Sequence, residues 1–318
     1  MAKPIVAVDL GGTNIRFGLV SWKGEVLARS RRRTEGHEGA ARTLERILEG
    51  ISEMLDGAPR GVVGIGVGSP GPLDSSGTIL HSPNIPGWGK MRLKDAVLKR
   101  FGLPCKVGND ANCAALAEHW VGIGRGTRNM VHYTLGTGIG GGVIVEGRLL
   151  EGRDRAGGEL GHVTIVRDGL LCGCGSQGCL EAHASATGIV RRTVSRLRQG
   201  APSSLQRMAP ETISARVVQQ AAKNGDRLAL DIIEETGRLL GIAVGAAINI
   251  FNPEVVGFSG GVANYGPLLF KPMRAEVERR AFRAMVRGVR FLRSRLSDNA
   301  GLIGAARALL IELGRDPV

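Results

Sequence analysis

The chain has 318 residues, 43% hydrophobic, 22% charged and 4% aromatic, and carries a formal net charge of +13. This length buries a sizeable core without staples and allows one large or two ordinary domains. The scarcity of aromatics argues against a base-stacking binder of single-stranded nucleic acid, and no apolar run reaches the about 20 residues that span a bilayer.

Residues 5–10 read as an apolar strand and residues 14–21 as a second, after a tight Gly11-Gly12 turn. A Lys23-Gly24 turn leads into a third strand over 25–33. The apolar start is too short for a signal peptide and is interrupted by Asp9. Residues 40–55 place Leu44, Ile47, Leu48, Ile51 and Leu55 at helical spacing. A short buried strand follows over 62–68, then a loop over 69–89 rich in proline and glycine, of the length that is often functional. A helix is expected over 93–101, a strand over 104–108, and a helix over 111–120 with Asp110 as its N-cap. Strands over 130–135 and 140–146 flank a glycine cluster. Helices follow over 186–198, 213–223 and about 226–251, the last ended by Asn252-Pro253. A strand over 254–259 stops at Gly260-Gly261, and a helix over 267–284, a strand over 289–293 and a helix over 300–313 complete the chain. Each half opens with antiparallel strands around a glycine-rich turn, which suggests two related α/β lobes. The boundaries expected are residues 1–118 plus 300–318 for a small lobe and 119–299 for a large one.

The most specific pattern is His162 followed by Cys172, Cys174 and Cys179, an H-x9-C-x-C-x4-C spacing. Three thiolates and an imidazole form a tetrahedral zinc set, here at about residues 162–181. Glu159, Glu181 and the second nitrogen of His162 are then left to face something else, which suggests a binding site. With three cysteines assigned to a metal, Cys105 and Cys113 remain without a disulfide-like pattern, and a reducing cytoplasm fits best.

Two stretches satisfy G-x-G-x-x-G, Gly66 to Gly71 and Gly136 to Gly141. Neither lies between a strand and a helix, so neither reads as a dinucleotide fingerprint. Asp9-Leu10-Gly11-Gly12-Thr13-Asn14 and Gly136-Thr137-Gly138-Ile139-Gly140-Gly141 instead each place a tight turn between two strands. Such a turn is either an ordinary hairpin or a nest whose N–H groups approach a phosphate. Thr13 and Thr137 add hydroxyls, and Gly260-Gly261 ends a third strand in a similar way. Asp9 either bonds its own turn or holds Mg²⁺, directly or through water. Asp110 either caps its helix or accepts a proton from a substrate hydroxyl, with Asn109 orienting neighbouring hydroxyls. The basic residues, dense at Arg29-Ser30-Arg31-Arg32-Arg33 and over 274–295, form a solvated surface or attract anions.

Taken together, residues 9–14, Ser69-Pro70-Gly71, Asn109-Asp110-Ala111-Asn112 with Glu118, residues 136–142, 157–162, 172–181 and Ser259-Gly260-Gly261 resemble the ROK family. That family groups sugar kinases with related repressors. The resemblance runs in order along nearly the whole chain, with no departure at the motif residues. It implies a two-lobed α/β fold of the hexokinase/actin/Hsp70 type (ribonuclease H-like), with the active site in the inter-lobe cleft. Within the family the chain is most similar to bacterial ATP-dependent glucokinases, on Ser185-Ala186-Thr187-Gly188 and Pro83-Asn84-Ile85-Pro86-Gly87-Trp88. The implied reaction phosphorylates the 6-hydroxyl of glucose with Mg-ATP.

By the same resemblance, Asp110 is the base, and Gly71, Asn109, Asp110, Glu159, His162 and Glu181 hold the sugar. Asp9, Gly11, Gly12, Thr13, Asn14, Thr137, Gly138, Gly260 and Gly261 hold the nucleotide. His162 then serves twice, with one ring nitrogen on zinc and the other on the sugar. A homodimer and lobe closure on sugar binding are also implied. Other readings are a kinase for N-acetylmannosamine, N-acetylglucosamine or fructose, a polyphosphate-using kinase, an inactive binding protein, and a sugar-responsive repressor. The repressor would need a helix-turn-helix domain ahead of Asp9, where there is no room. Neither nucleic acid nor membrane is an expected partner.

Overall fold

A computed structural model describes residues 3–58, 61–74, 76–80, 85 and 87–318. Pro83, Asn84 and Pro86 lie outside the described residues. The chain separates into two compact units, Met1–Arg128 with Gly142–Gly158 and Ser294–Val318, and Asn129–Gly141 with Glu159–Arg293. Among the described residues, no helix is long and apolar enough to cross a membrane.

In chain order the elements are β1 (Ile5–Leu10), β2 (Asn14–Val20), β3 (Val26–Arg33), α1 (Ala40–Asp56), β4 (Ile65–Ser69), α2 (Leu93–Phe101), β5 (Cys105–Asn109) and α3 (Asp110–Val121). They continue with β6 (Met130–Leu135), β7 (Ile139–Val145), β8 (Arg148–Leu149), α4 (Leu180–Ala184), α5 (Ala186–Arg198), α6 (Ala215–Lys223) and α7 (Arg227–Phe251). The last are β9 (Val255–Ser259), α8 (Pro267–Arg280), α9 (Arg283–Val286), β10 (Arg290–Arg293) and α10 (Ala300–Glu312).

The first sheet has the order β3-β2-β1-β4-β5 and the second β10-β9-β6-β7-β8. In the first, β1 pairs antiparallel with β2 and parallel with β4, and β4 pairs parallel with β5. The register sets Asp9 beside Gly68 and Ser69 beside Asn109. The C-terminal ends of three parallel strands therefore carry the polar residues, where α/β sheets place ligands.

Period-two alternation fills both faces of this sheet. Val6, Val8, Ile15 and Phe17 meet Ile47 and Ile51 of α1 on one side. Ile5 and Ala7 meet Cys113 and Ala117 of α3 and Leu302, Ile303 and Ala306 of α10 on the other. The second face closes because α10 is built from small residues. A Cβ at Gly304 would collide with the Cys113 carbonyl of α3, and one at Gly66 with the Ala305 carbonyl of α10.

Several boundaries differ from those expected. The strand expected over 62–68 is Ile65–Ser69, because the Val63 N–H already pairs with the Pro4 carbonyl at 2.9 Å. The helix expected over 213–223 starts at Ala215, where Ser214 Oγ accepts the Val217 N–H at 3.3 Å. The helix expected over 267–284 stops at Arg280, since the Phe282 N–H donates to Asn249 Oδ1 at 2.9 Å and leaves the helical ladder. Within the long loop, bridges join Ile79 to Leu73 and Met91, and Trp88 is fully buried.

Gly304→Ala should destabilise the protein by about 1–3 kcal/mol or more, since overpacking forces backbones apart. A thermal melt reads this as a drop of several degrees, and an unchanged midpoint contradicts the close-packed crossing of α10 and α3.

Candidate active site and metal loop

His162 ends a short 3-10 turn, Leu160–His162, and the cysteines follow on a small knuckle. Bridges Thr164↔Cys179 and Leu171↔Gln177 set the frame of the knuckle. Its tip closes through Cys172 N–H to Ser176 O at 2.8 Å and Gly175 N–H to Cys172 O at 3.0 Å, with Gly175 at φ +89°. The four ligand atoms of His162, Cys172, Cys174 and Cys179 lie within 4.8 Å of one another.

Two of the spacings match a zinc tetrahedron. Tetrahedral bonds of about 2.3 Å to sulfur and 2.0–2.1 Å to nitrogen demand edges of about 3.8 Å between sulfurs and about 3.6 Å from sulfur to nitrogen. Cys174 Sγ and Cys179 Sγ are 3.7 Å apart, and Cys172 Sγ and His162 Nδ1 are 3.6 Å apart. As thiols, Cys172 and Cys179 are pushed up in pKa by burial. A zinc ion reverses that preference, because a coordinating thiol is deprotonated.

His162 is oriented as a shared ring requires. Nδ1 faces the sulfurs, and Nε2 lies 3.9 Å from Glu159 Oε2. Burial raises the Glu159 pKa, His162 opposes this and Glu181 adds to it. Glu181 turns toward the glycine-rich turn, where its Oε2 accepts the Ile139 N–H at 2.9 Å. Its Oε1 is 3.6 Å from Cys172 Sγ.

The two glycine-rich turns share one build. In the first, the Gly11 N–H bonds the Asn14 carbonyl at 3.0 Å. The Thr13 carbonyl accepts from Thr34 N–H at 2.9 Å, and the Gly11 carbonyl from Thr34 Oγ1 at 2.6 Å. In the second, the Gly136 N–H bonds the Gly138 carbonyl at 2.9 Å. The Gly136 carbonyl accepts from Ala186 N–H at 3.0 Å, and the Thr137 carbonyl from Thr187 Oγ1 at 2.9 Å. Among the described residues, nothing in the protein takes the N–H groups of Gly12, Thr13, Thr137 or Gly138. Each turn thus ties two carbonyls to neighbouring donors and leaves two N–H groups that could meet an anion.

Gly260, at φ +89°, packs against the Leu135 carbonyl just before the second turn, and Gly261 is open. The preceding Ser259 is held by His132, whose Nε2 lies 3.0 Å from Ser259 Oγ.

In the first unit, Asn109 and not Asp110 caps α3. Asn109 Oδ1 accepts the N–H groups of Ala111 at 2.9 Å and Asn112 at 3.1 Å. The extended backbone of Asn109, φ −66° and ψ 141°, puts it at the cap and makes Asp110 the first helical residue. Asn109 Nδ2 donates to the Gly71 carbonyl at 3.3 Å, which joins two expected sugar residues. Asp110 Oδ1 accepts the Ala111 N–H at 2.8 Å.

Asp9 does not bond its own turn. Its Oδ2 takes Arg16 Nη1 at 3.1 Å, and Arg16 also reaches Asp298 at 3.2 Å. Burial raises the Asp9 pKa against the pull of Arg16. Glu118 is a structural member: fully buried, it accepts Ser294 Oγ–H and the Ile123 N–H and closes the chain after α3.

Arg16, Thr34, His132 and Thr187 were not assigned from sequence. Thr187 stands in the Ser185-Ala186-Thr187-Gly188 run, but its bond depends on the packing of α5. The others follow only from strand register.

His132 is fully buried, and burial pushes its pKa down from 6.5 to about 4. Between these values the unfolded chain binds a proton that the folded chain refuses, so stability is lost as pH falls through this window. His132→Gln cannot titrate and should lose less stability than the wild type between pH near 7 and near 5, read from urea midpoints. Parallel pH dependences would contradict the buried neutral imidazole.

A family model, the ROK family, matches residues 5–312. A glucokinase of Thermotoga maritima is 42% identical over 98% of this chain and 98% of its own length. A xylose repressor of Caldicellulosiruptor bescii is 31% identical over 97% of this chain and 78% of its own length. The crystal structure of a ROK glucokinase from Streptomyces griseus, in complex with glucose and AMPPNP, superposes with a TM-score of 0.78 at 35% identity, covering 95% of this chain and 98% of that one. The two-sheet α/β architecture is that of the ROK hexokinases, on the fold of the actin-like sugar kinases. The chain belongs to the ROK family.

Proposed function

We propose that the chain is an ATP-dependent hexose kinase that transfers the γ-phosphoryl group of ATP to the 6-hydroxyl of glucose. The observation that carries this reading is the common build of the two turns, each with two carbonyls bonded to neighbouring donors and a pair of N–H donors left for phosphate. The likeness to glucokinases, one of them complexed with glucose and AMPPNP, supports glucose as acceptor and ATP as donor.

In this reading Asp110 takes the proton as the 6-oxygen attacks the γ-phosphorus. The bond to the γ-phosphorus forms as the bridging bond to ADP breaks. Asn109 spends Oδ1 on the helix and one Nδ2 hydrogen on Gly71. It keeps a second Nδ2 hydrogen for the sugar 3- and 4-hydroxyls, which it holds with Asp110. Glu159 and Nε2 of His162 take further sugar hydroxyls, and Glu181 retains acceptor capacity beyond its bond to Ile139.

Gly11, Gly12, Thr13, Asn14, Thr137, Gly138, Gly260 and Gly261 face the nucleotide. Mg²⁺ enters with ATP and neutralises phosphate charge. Asp9, already bonded to Arg16, would meet that ion through water. His162, Cys172, Cys174 and Cys179 would hold zinc and leave no position for a reactive water, so the loop orients His162 without entering the transfer. Five free cysteines fit a reducing compartment, and a cytoplasmic homodimer is the assembly we propose.

A coupled ADP-release assay with Mg-ATP tests the reading, with zinc-replete protein against glucose, mannose, fructose, N-acetylglucosamine and N-acetylmannosamine. Clear preference for glucose is expected. Preference for an amino sugar or fructose keeps the residue roles and moves the substrate. No turnover on any sugar overturns the kinase reading.

A further inference from the structure

The turn at Gly136–Gly138 is held by one short segment, and that segment starts in the metal loop. Cys179 is both a candidate zinc ligand and the N-cap of α4. One residue into α4, Glu181 bonds the Ile139 N–H at 2.9 Å, and a Cβ at Gly138 would collide with its carboxylate. The Glu181 carbonyl accepts the Ser185 N–H at 3.2 Å, and Ser185 Oγ caps α5 by accepting the Gly188 N–H at 3.1 Å. The two helices therefore meet at a fixed corner. The next two residues past that corner are Ala186 and Thr187, which take the Gly136 and Thr137 carbonyls.

Both sides of the turn are thus set by this segment. Glu181 holds an amide on one side, and Ala186 and Thr187 hold the carbonyls on the other. The free N–H groups of Thr137 and Gly138 point where these bonds make them point. The anchor of the segment is Cys179, 3.7 Å from Cys174 in the four-ligand cluster.

We propose that metal occupancy of the His162–Cys172–Cys174–Cys179 cluster and nucleotide affinity are thermodynamically linked through α4, with Glu181 and Thr187 as the positioning residues. This rests on the reading of the Gly136–Gly138 turn as a phosphate site. Linkage is reciprocal: if metal strengthens nucleotide binding by some factor, nucleotide strengthens metal binding by the same factor. The sugar is left out of the test, so that roles of Glu181 and His162 toward it do not enter.

The experiment measures AMPPNP binding by calorimetry to zinc-loaded and metal-stripped protein, and zinc affinity by chelator competition with and without AMPPNP. Zinc should strengthen AMPPNP binding about fivefold or more, the lower end of ordinary coupling, with an equal gain in zinc affinity when AMPPNP is present. Thr187→Val and Glu181→Ala should bring both factors toward one. Glu181→Gln should restore them, because the amide oxygen still accepts the Ile139 N–H. If metal-stripped protein unfolds, as circular dichroism would reveal, the chelator arm on loaded protein decides alone. If Glu181→Ala fails to fold, Thr187→Val carries the comparison. Equal zinc affinity with and without AMPPNP, in a protein that binds AMPPNP, overturns the linkage and spares the nucleotide reading. Failure of the zinc-loaded wild type to bind AMPPNP overturns both.

Discussion

A phosphate-binding backbone must present N–H groups and hide carbonyls, and every peptide unit carries both. The two glycine-rich turns meet this constraint in the same way. In each, the first glycine closes the turn with its own N–H, a threonine hydroxyl and a neighbouring backbone N–H take two carbonyls, and the next two N–H groups are left without a protein acceptor among the described residues. Thr34 supplies both donors in the first turn, and Ala186 with Thr187 supplies them in the second. The surrounding structure serves largely to keep these bonds in register.

The two units achieve this by different means. In the first, close packing does it: α10 approaches α3 and β4 through glycine and alanine, and the strand ends bearing Asp9, Ser69 and Asn109 are locked by register. In the second, a knuckle with convergent sulfur and nitrogen ligands fixes Glu159, His162 and the start of α4. Part of the basic charge is paired locally. On β3, Arg32 turns to Glu49 and Glu53 of α1, while Arg29, Arg31 and Arg33 alternate onto the opposite face. β3 is a sheet edge, and charged side chains there discourage edge-to-edge pairing.

The helices and most strands are legible from spacing, because long amphipathic or apolar runs leave few alternatives. The Cys3His cluster is legible for a different reason: its four residues lie close in sequence, so spacing alone brings them together. What sequence does not carry is competition for a single hydrogen bond. Asn109 and Asp110 are both good caps, and only the backbone angles decide that Asn109 takes the position. Asp9 reads equally well as bonding its own turn until the antiparallel register puts Arg16 opposite it. His132 and Thr187 reach the candidate site only through contacts 127 and 50 positions away in the chain, to Ser259 and Thr137.

In the proposed reaction Asp110, the first helical residue after the Asn109 cap, is the base for phosphoryl transfer to a sugar hydroxyl. The most direct test compares wild type with Asp110→Asn, measuring glucose binding at equilibrium and phosphorylation by Mg-ATP in a single turnover. Glucose should still bind while the rate falls by about 10²–10⁴, the usual worth of general-base catalysis. A variant that binds glucose and phosphorylates it at a near-normal rate would contradict the account.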